Sequence, residues 1–419
     1  MSPSPPTTRI TPFWGWRIVW SGAAVQMLVG GLVQHAYTNY AVLLREEFGW
    51  GTTLIAFGFA LNRVESGLLG PIQGWLLDRY GPRPVMSAGA IIIGIGLMLF
   101  STVSNAVEFF AFYFIVAVGA SLSGFITVVT VVVNWFDRKR SLALSLVQAG
   151  FPVGGVLIPV IVFCLERYGW RATSFGSGIV AMVLVFGLAQ LMHRHPHDVG
   201  QEIDGGDEVL ADGTVVKRDP TLDFTLDQAV RTRAFWFLNL GHATALLVVG
   251  STMTHLAVYL TEEQGFTLQQ AGFVGFSLLM LQLVGQLLGG TLGDLMSKQL
   301  LAIIAMVGHV TGMLLFTFAT AKWMIWAFVP FHGMAWGLRG PLMQAMRADY
   351  FGASSFGRIM GWSSMIMMLG TMSGPLIVGF MRDSTGSFTP GFATVTILAS
   401  VAIVFFALAS KPTHPDLTS

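Results

Sequence analysis

Long apolar runs, broken by short polar segments rich in turn residues, set the organisation of this chain. A helix that crosses a bilayer needs about 20 mostly apolar residues. Twelve runs meet that length, at about 16–38, 52–77, 84–104, 107–134, 141–165, 172–192, 234–260, 270–294, 299–320, 323–347, 358–381 and 389–409; they are numbered helices 1–12. Between helices 6 and 7 lies a long polar segment, 193–233, in which acids outnumber Lys and Arg. Within it, Val209 to Val216 reads as a small hairpin about Asp212-Gly213, and Thr225 to Arg233 as a short amphipathic helix leading into helix 7. The pattern predicts an all-α membrane protein. Its parts are a disordered tail (1–15), a six-helix bundle (16–192), a linker (193–233), a second bundle (234–410) and a short C-terminal tail (411–419).

Composition agrees with that pattern. The chain is 53% hydrophobic and 11% charged, against about 25% charged in soluble domains. A net charge of +1 gives no electrostatic footprint for nucleic acid. The single cysteine, Cys164, excludes an internal disulfide and a cysteine metal cluster. The first apolar run is too long for a signal peptide and lacks a small-x-small cleavage site, so it is expected to be retained. Loop cations orient the chain. One side carries Arg9, Arg17, Arg79, Arg83, Arg138, Lys139, Arg140, the linker, Lys298, Arg347, Arg358 and Lys411; the other carries Arg45, Arg167, Arg171, Lys322 and Arg382. A multi-pass protein of the cell membrane with both termini and the linker cytoplasmic is expected.

One loop recurs. Gly74-Trp75-Leu76-Leu77-Asp78-Arg79-Tyr80-Gly81 follows helix 2, and a weaker copy, Gly290-Thr291-Leu292-Gly293-Asp294, ends helix 8. Asn134-Trp135-Phe136 after helix 4 matches Asp349-Tyr350-Phe351 after helix 10, and Gly150-Phe151-Pro152 in helix 5 echoes Gly374-Pro375 in helix 11. These correspondences in register indicate parallel six-helix repeats, an architecture that places a substrate site near the midplane between the halves.

Twelve spans, a central loop and a doubled Gly-x-Leu-x-Asp-Arg-x-Gly loop together resemble the major facilitator superfamily over essentially the whole chain. Trp14-Gly15-Trp16, Glu46-Glu47-Phe48-Gly49-Trp50 and Trp135-Phe136-Asp137-Arg138-Lys139-Arg140-Ser141 resemble signatures of its monocarboxylate porter branch. Tyr168-Gly169-Trp170-Arg171 and Arg233-Ala234-Phe235-Trp236 are similar to bacterial members, oxalate/formate exchangers included. There are departures. Pro12 stands where that branch usually has an acid, helix 8 lacks the intramembrane arginine of its best-known members, and helix 4 lacks the arginine of proton-coupled drug antiporters. The resemblance implies that helices 1, 4, 7 and 10 line the cavity and that the doubled loop holds an inner gate. In that gate Asp78 would sit at the N-terminus of helix 11, where its charge suits the helix dipole. Arg79 and Arg83 would bridge to neighbouring loops, and Asp294 would lie at helix 5 beside Arg138 and Arg140.

Charges inside hydrocarbon cost several kcal/mol and are functional candidates by default. Arg63 lies near the middle of helix 2, on a stripe with Gly67, Gly70 and Gly74; Glu65 points to the other side. In helix 10, His332, Trp336 and Arg339 fall at i, i+4 and i+7, on one face. There a guanidinium could take a carboxylate bidentately, beside an aromatic wall and a titratable ring. Helix 1 offers His35 and Asn39 with Tyr37 nearby, and helix 7 offers His242. His309 in helix 9 reads as structural, the Met-rich stretch of helix 11 as apolar filling, and His193 to His197 as a solvated cap rather than a metal site. The predicted function is alternating-access transport of a small, monocarboxylate-like organic anion, coupled to a proton. Arg63, Arg339, Trp336, His332, Asn39 and Tyr37 are the substrate candidates, and Glu65, His35 and His242 the proton candidates. The alternatives are carboxylate exchange, or export of a neutral amphipathic compound. No nucleophile–base pair, phosphate loop or metal cluster points to an enzyme, no cofactor is expected, and a monomer suffices.

Overall fold

All twelve expected spans are helical. The computed structural model describes residues 12–205, 208–209, 215–216 and 223–417; the side chains at 52, 53, 55, 56, 59, 60, 62 and 63 in helix 2 lie outside the described part. Most of the expected N-terminal tail, 1–11, and the last two residues also lie outside it. Helix 1 spans Gly15–Phe48 and contains a π-helical turn at Gly30–His35. Helix 2 covers 52–80 and is broken at Leu69, where Gly70 and Pro71 begin its second segment. Helix 3 is Pro82–Phe100, and helix 4 is Ala106–Trp135 with a break at Gly124. The tract Arg140–Ala189 reverses at Gly169, whose φ of 78° and ψ of 164° suit a residue without a Cβ; its two arms are helices 5 and 6. Helices 7–12 are Arg233–Glu262, Leu268–Leu295, Lys298–Thr317, Lys322–Phe351, Phe356–Thr385 and Thr389–Leu408.

Among the described residues, nine stretches are long and apolar enough to cross a membrane, with the reversing tract counted as one. Helix 2, broken at Leu69, and helix 10, which carries His332, Arg339 and Arg347, complete the twelve. Apolar side chains segregate into two cores. One is built from residues 18–192 with a few side chains of helices 10 and 11, and the other from residues 224–409.

The halves meet along helix 2 against helix 11 and helix 5 against helix 8. Glycine permits that approach. A Cβ on Gly70 or Gly74 would collide with the backbone of Gly361 or Gly357, and one on Gly290 with Ser145. Other close-packed glycines lie within a half. Gly150 packs against the Ala23 carbonyl of helix 1, and Gly370 and Gly374 against the Ala243 and Leu247 carbonyls of helix 7, so they tighten each half internally. The linker lies on one face of the bundle. Glu208–Val209 pairs antiparallel with Val215–Val216, while the turn of the expected hairpin falls outside the described residues. The short helix Leu226–Val230 is capped by Thr225 and Gln228. Gln201 bonds to Trp14 and Pro12, Asp223 accepts from the backbone of Ala353 and Ser354, and His414 packs on Phe224. The linker and both described chain ends therefore share this linker face.

Candidate functional site

Polar bonds between the halves, among the described residues, gather at the linker face. Asp78 ends helix 2, and its Oδ2 accepts from the backbone N–H of Arg358 (3.2 Å) and from Arg358 Nε (3.1 Å), in the first turn of helix 11. Asp294 ends helix 8, and its two oxygens accept from the backbone N–H groups of Ser141 (2.8 Å) and Leu142 (3.0 Å), in the first turn of helix 5. Each carboxylate fills the unsatisfied N–H groups of a helix start and meets the positive end of its dipole. A third tie is ionic: the buried Arg140 pairs with Asp137 (2.7 Å) and, across the halves, with Asp349, which also binds Lys298 (2.8 Å). Arg138 holds Asp204 of the linker through its backbone N–H (2.8 Å). Arg83 bonds to Gln190 (2.8 Å) at the end of helix 6. Arg79 does not bridge loops as expected: it lies over the rings of Trp75 and Tyr80, which its own helix presents within reach. The arginine that does reach this loop is Arg194, which donates to the Asp78 carbonyl (2.6 Å). At the opposite face each half ties its own ends, Glu47 to Arg171 (2.5 Å) and Glu262 to Arg382 (3.2 Å).

Above this closure a cavity of about 550 Å³ lies between the halves, lined from helices 1, 2, 4, 5, 8 and 10. His35 lines it, and the π-helical turn brings its Nε2 to 3.0 Å from the Phe151 carbonyl of helix 5. A carbonyl only accepts, so His35 Nε2 carries the proton of that bond. Trp336 lines the same cavity. Its expected partners on helix 10 do not. His332 is fully buried against helix 9, with its Nδ1 3.1 Å from His309 Nδ1 and its ring 5.0 Å from Phe328. One face of a long helix meets different neighbours at different depths, so a shared stripe did not become a shared pocket. His309, read as merely structural, is half of this histidine pair. Tyr37 is turned into the first half's core, 4.9 Å from Tyr113, because the π-helical turn shifts the register beyond His35. Asn39 is half-buried and is not among the residues lining the cavity.

Arg339 is 1% exposed, and its Nε and Nη1 find no acceptor. Its charge reaches His242, His309, His332 and Arg347. Arg347 was counted from the sequence with the loop cations, yet it is fully buried. It donates to Asn239 Oδ1 (2.7 and 3.2 Å), Gln344 Oε1 (2.9 Å), the Met343 carbonyl (3.1 Å), Ser363 Oγ (3.2 Å) and His242 Nδ1 (3.0 Å). Arginine has only donors, so His242 Nδ1 is a bare lone pair and the ring is neutral here. Neither arginine has a carboxylate partner among the described residues. Its closeness to a helix end hid Arg347; of its side-chain acceptors only Gln344, three residues earlier, lies near it in sequence, while Asn239 and His242 come from helix 7.

On the other half Glu65 is buried. Ser121 Oγ of helix 4 donates to its Oε2 (2.8 Å), and Oε1 has no partner. Gln73, one of whose N–H groups reaches the Ser121 carbonyl (2.5 Å), continues this cluster. Beside it a pocket of about 180 Å³ is lined by Met360, Met367, Met368 and Met372, so this methionine face meets helices 2 and 4 rather than only filling gaps. Arg63 lies in the helical segment Thr52–Leu68, and its side chain lies outside the described residues.

Comparison with known proteins places this geometry. The family model described as "Major Facilitator Superfamily" matches residues 19–338 and 238–419. Monocarboxylate transporter 13 of Bos taurus is 21% identical over 416 residues, covering 96% of this chain and 92% of that protein. The probable galactarate/D-glucarate transporter GudP of Escherichia coli is 25% identical over 395 residues, covering 86% and 84%. Among solved structures, the transporter FucP in its outward conformation superposes with a TM-score of 0.71 at 14% identity, covering 94% of this chain and 99% of that one.

Proposed function

This chain belongs to the major facilitator superfamily of membrane transporters, and from that premise we propose that it carries a small organic anion, together with a proton, by alternating access. Arg339 carries the anion reading. A buried guanidinium with two donor nitrogens unpaired and no carboxylate partner among the described residues is costly unless something anionic completes it. A carboxylate does so in bidentate fashion. Two of the relatives, a monocarboxylate transporter and a probable galactarate/D-glucarate transporter, point the same way. Trp336, three residues earlier, lines the cavity, so movement of helix 10 or of this ring admits the anion to Arg339. Arg63 is a second candidate cation.

The loop cations make the linker face cytoplasmic. The carboxylate clamps at Asp78 and Asp294, with the Arg140–Asp349 pair, then form the inner gate, shut here, and the cavity serves the outward-facing state. Glu65, His242 and His35 are the proton-handling groups. Exchange of one carboxylate for another is the second reading, favoured by the neutral, fully braced His242, which needs no proton at rest.

Flux into proteoliposomes tests the proposal. Radiolabelled short carboxylates should accumulate above the level in protein-free liposomes when the lumen is alkaline, and Arg339→Gln should lower that protein-dependent rate at least ~10-fold, the loss of one charge-assisted bond or more, with its elution profile unchanged. Full uptake by Arg339→Gln would remove the anion site. Trans-stimulated flux indifferent to the pH gradient would select exchange.

A further inference from the structure

We propose that the cavity between the halves is built to read hydroxyl groups, so that the transported acid is a polyhydroxylated carboxylate rather than a plain alkyl one. This deepens the organic-anion reading and rests on it. Five carboxamides line the cavity: Gln26 and Gln34 from helix 1, Gln148 from helix 5, and Gln282 and Gln286 from helix 8. Among the described residues, no Asp, Glu, Lys or Arg lines it. Lining of this kind offers directed hydrogen bonds and little net charge.

Little of that capacity is used internally. Gln282 donates to Gln286 Oε1 (3.0 Å), and Gln286 donates to the Ser145 carbonyl (2.8 Å) across the halves. Gln148 Nε2 is buried without an acceptor. Each carboxamide has two N–H donors and an oxygen with two lone pairs, and a buried one left unmatched costs about 1–3 kcal/mol. A carboxylate can only accept, so it serves the N–H groups and leaves the amide oxygens unmet. An alkyl chain serves neither. A hydroxyl both donates and accepts, and so matches a carboxamide on either edge. Carboxamides from both halves facing one space can therefore hold a chain of hydroxyls end to end, with Trp336 as a flat wall for its C–H face. Size agrees: a two- or three-carbon acid fills a small part of 550 Å³, whereas ligand cavities are normally filled over most of a ligand's surface.

A site made to hydrogen-bond hydroxyls rejects the analogue lacking them far more strongly than an apolar site rejects an extra methylene. The test uses proteoliposomes of the full chain and three six-carbon probes: gluconate, hexanoate and the neutral polyol sorbitol. After subtraction of entry into protein-free liposomes, whose bilayer neutral hexanoic acid crosses unaided, labelled gluconate should enter with a rate constant roughly 100-fold above hexanoate, and sorbitol should compete weakly. Gln148→Leu and Gln282→Leu should each narrow the gluconate-to-hexanoate ratio at least ~10-fold, because they remove hydroxyl partners while leaving Arg339 in place. Equal or faster entry of hexanoate into wild-type vesicles overturns the hydroxyl reading and leaves the anion reading standing. Entry of sorbitol but of neither acid overturns the anion reading itself. The wild-type ratio decides the matter even where a glutamine variant does not fold.

Discussion

Replacing Asp78 by asparagine probes the gate with the least change of shape. The side chain is 8% exposed, and one of its oxygens takes both the backbone N–H and the Nε of Arg358. Asparagine keeps an acceptor oxygen but loses the charge. Hydrogen bonds to charged groups contribute about 1.5–3 kcal/mol and neutral ones about 0.5–1.5, and a charge at a helix start adds about 0.3–1. The closed linker face therefore loses about 2 kcal/mol, roughly a 30-fold change in the closed-to-open ratio. Asp294→Asn keeps one acceptor oxygen but loses the charge and one bond of a matched pair, 2.8 and 3.0 Å, at helix 5, and should cost a similar amount. Spin labels at the exposed ends of helices 2 and 8 (Tyr80→Cys with Leu295→Cys, in a Cys164→Ser background) report the linker-face distance. The short-distance population should fall in either asparagine variant and nearly vanish in the double variant, while ligand affinity at the central cavity changes by less than ~3-fold, under 0.7 kcal/mol. Unchanged distances with binding lost would refute the reasoning and move Asp78 from the gate to the substrate site.

Two further outcomes are expected. In His242→Gln the amide oxygen can accept from Arg347 as the neutral ring does, but it cannot titrate. Proton-driven accumulation should disappear while tracer exchange persists, as read from uptake against external pH; an unaltered pH profile assigns the proton to Glu65. Gly74→Val puts two methyl groups into the backbone of Gly357, where overpacking costs about 1–3 kcal/mol. Turnover should fall about 10-fold with binding retained, and turnover at the wild-type rate would show that helices 2 and 11 need not meet this closely.

The helices and the acids that tie the halves were legible because each depends on local signals. Apolar length gives the spans, and an acid after a helix followed by glycine and proline gives Asp78 its place. The pairing of Asp78 with helix 11 and of Asp294 with helix 5 follows from the duplication, since each half's loop must reach across to the other. The interior chemistry was less legible. Burial of Arg347 depends on Asn239 and Ser363 from helices 7 and 11, and separation in sequence conceals such a cage. His332 was assigned to the right helix face but the wrong neighbour, because helical periodicity fixes direction and not what stands there. The π-helical turn in helix 1 leaves no mark that a window of hydropathy can detect, yet it decides that His35 faces the cavity and Tyr37 does not. The glutamines were passed over because each alone resembles an ordinary polar residue; their convergence belongs to the fold.

What is duplicated in this protein differs in kind from what is not. Carboxylate clamps occur in both halves, as do the Glu–Arg ties at the far face. His35 donates to the Phe151 carbonyl at 3.0 Å in helix 5, beside Pro152, and His255 donates to the Pro375 carbonyl at 3.0 Å in helix 11. These paired devices join helix 1 to helix 5 and helix 7 to helix 11 where a proline interrupts the second helix, a place where bending is cheap. The proposed alternating-access cycle needs each of them twice, since both halves would open and close against the other. Among the described residues, the charges buried away from the helix ends have no such twin. Glu65 with Ser121 belongs to one half; Arg339 and Arg347 belong to the other, and helix 4, which holds the position of helix 10 in the first half, carries no arginine. A cargo with one charged end needs one charged wall, so symmetry would be wasted there. The two classes should therefore separate in mutagenesis. A substitution in one duplicated device should be matched by the same substitution in its twin, as for Asp78 and Asp294, whereas loss of Arg339 should have no counterpart at the matching positions of helix 4.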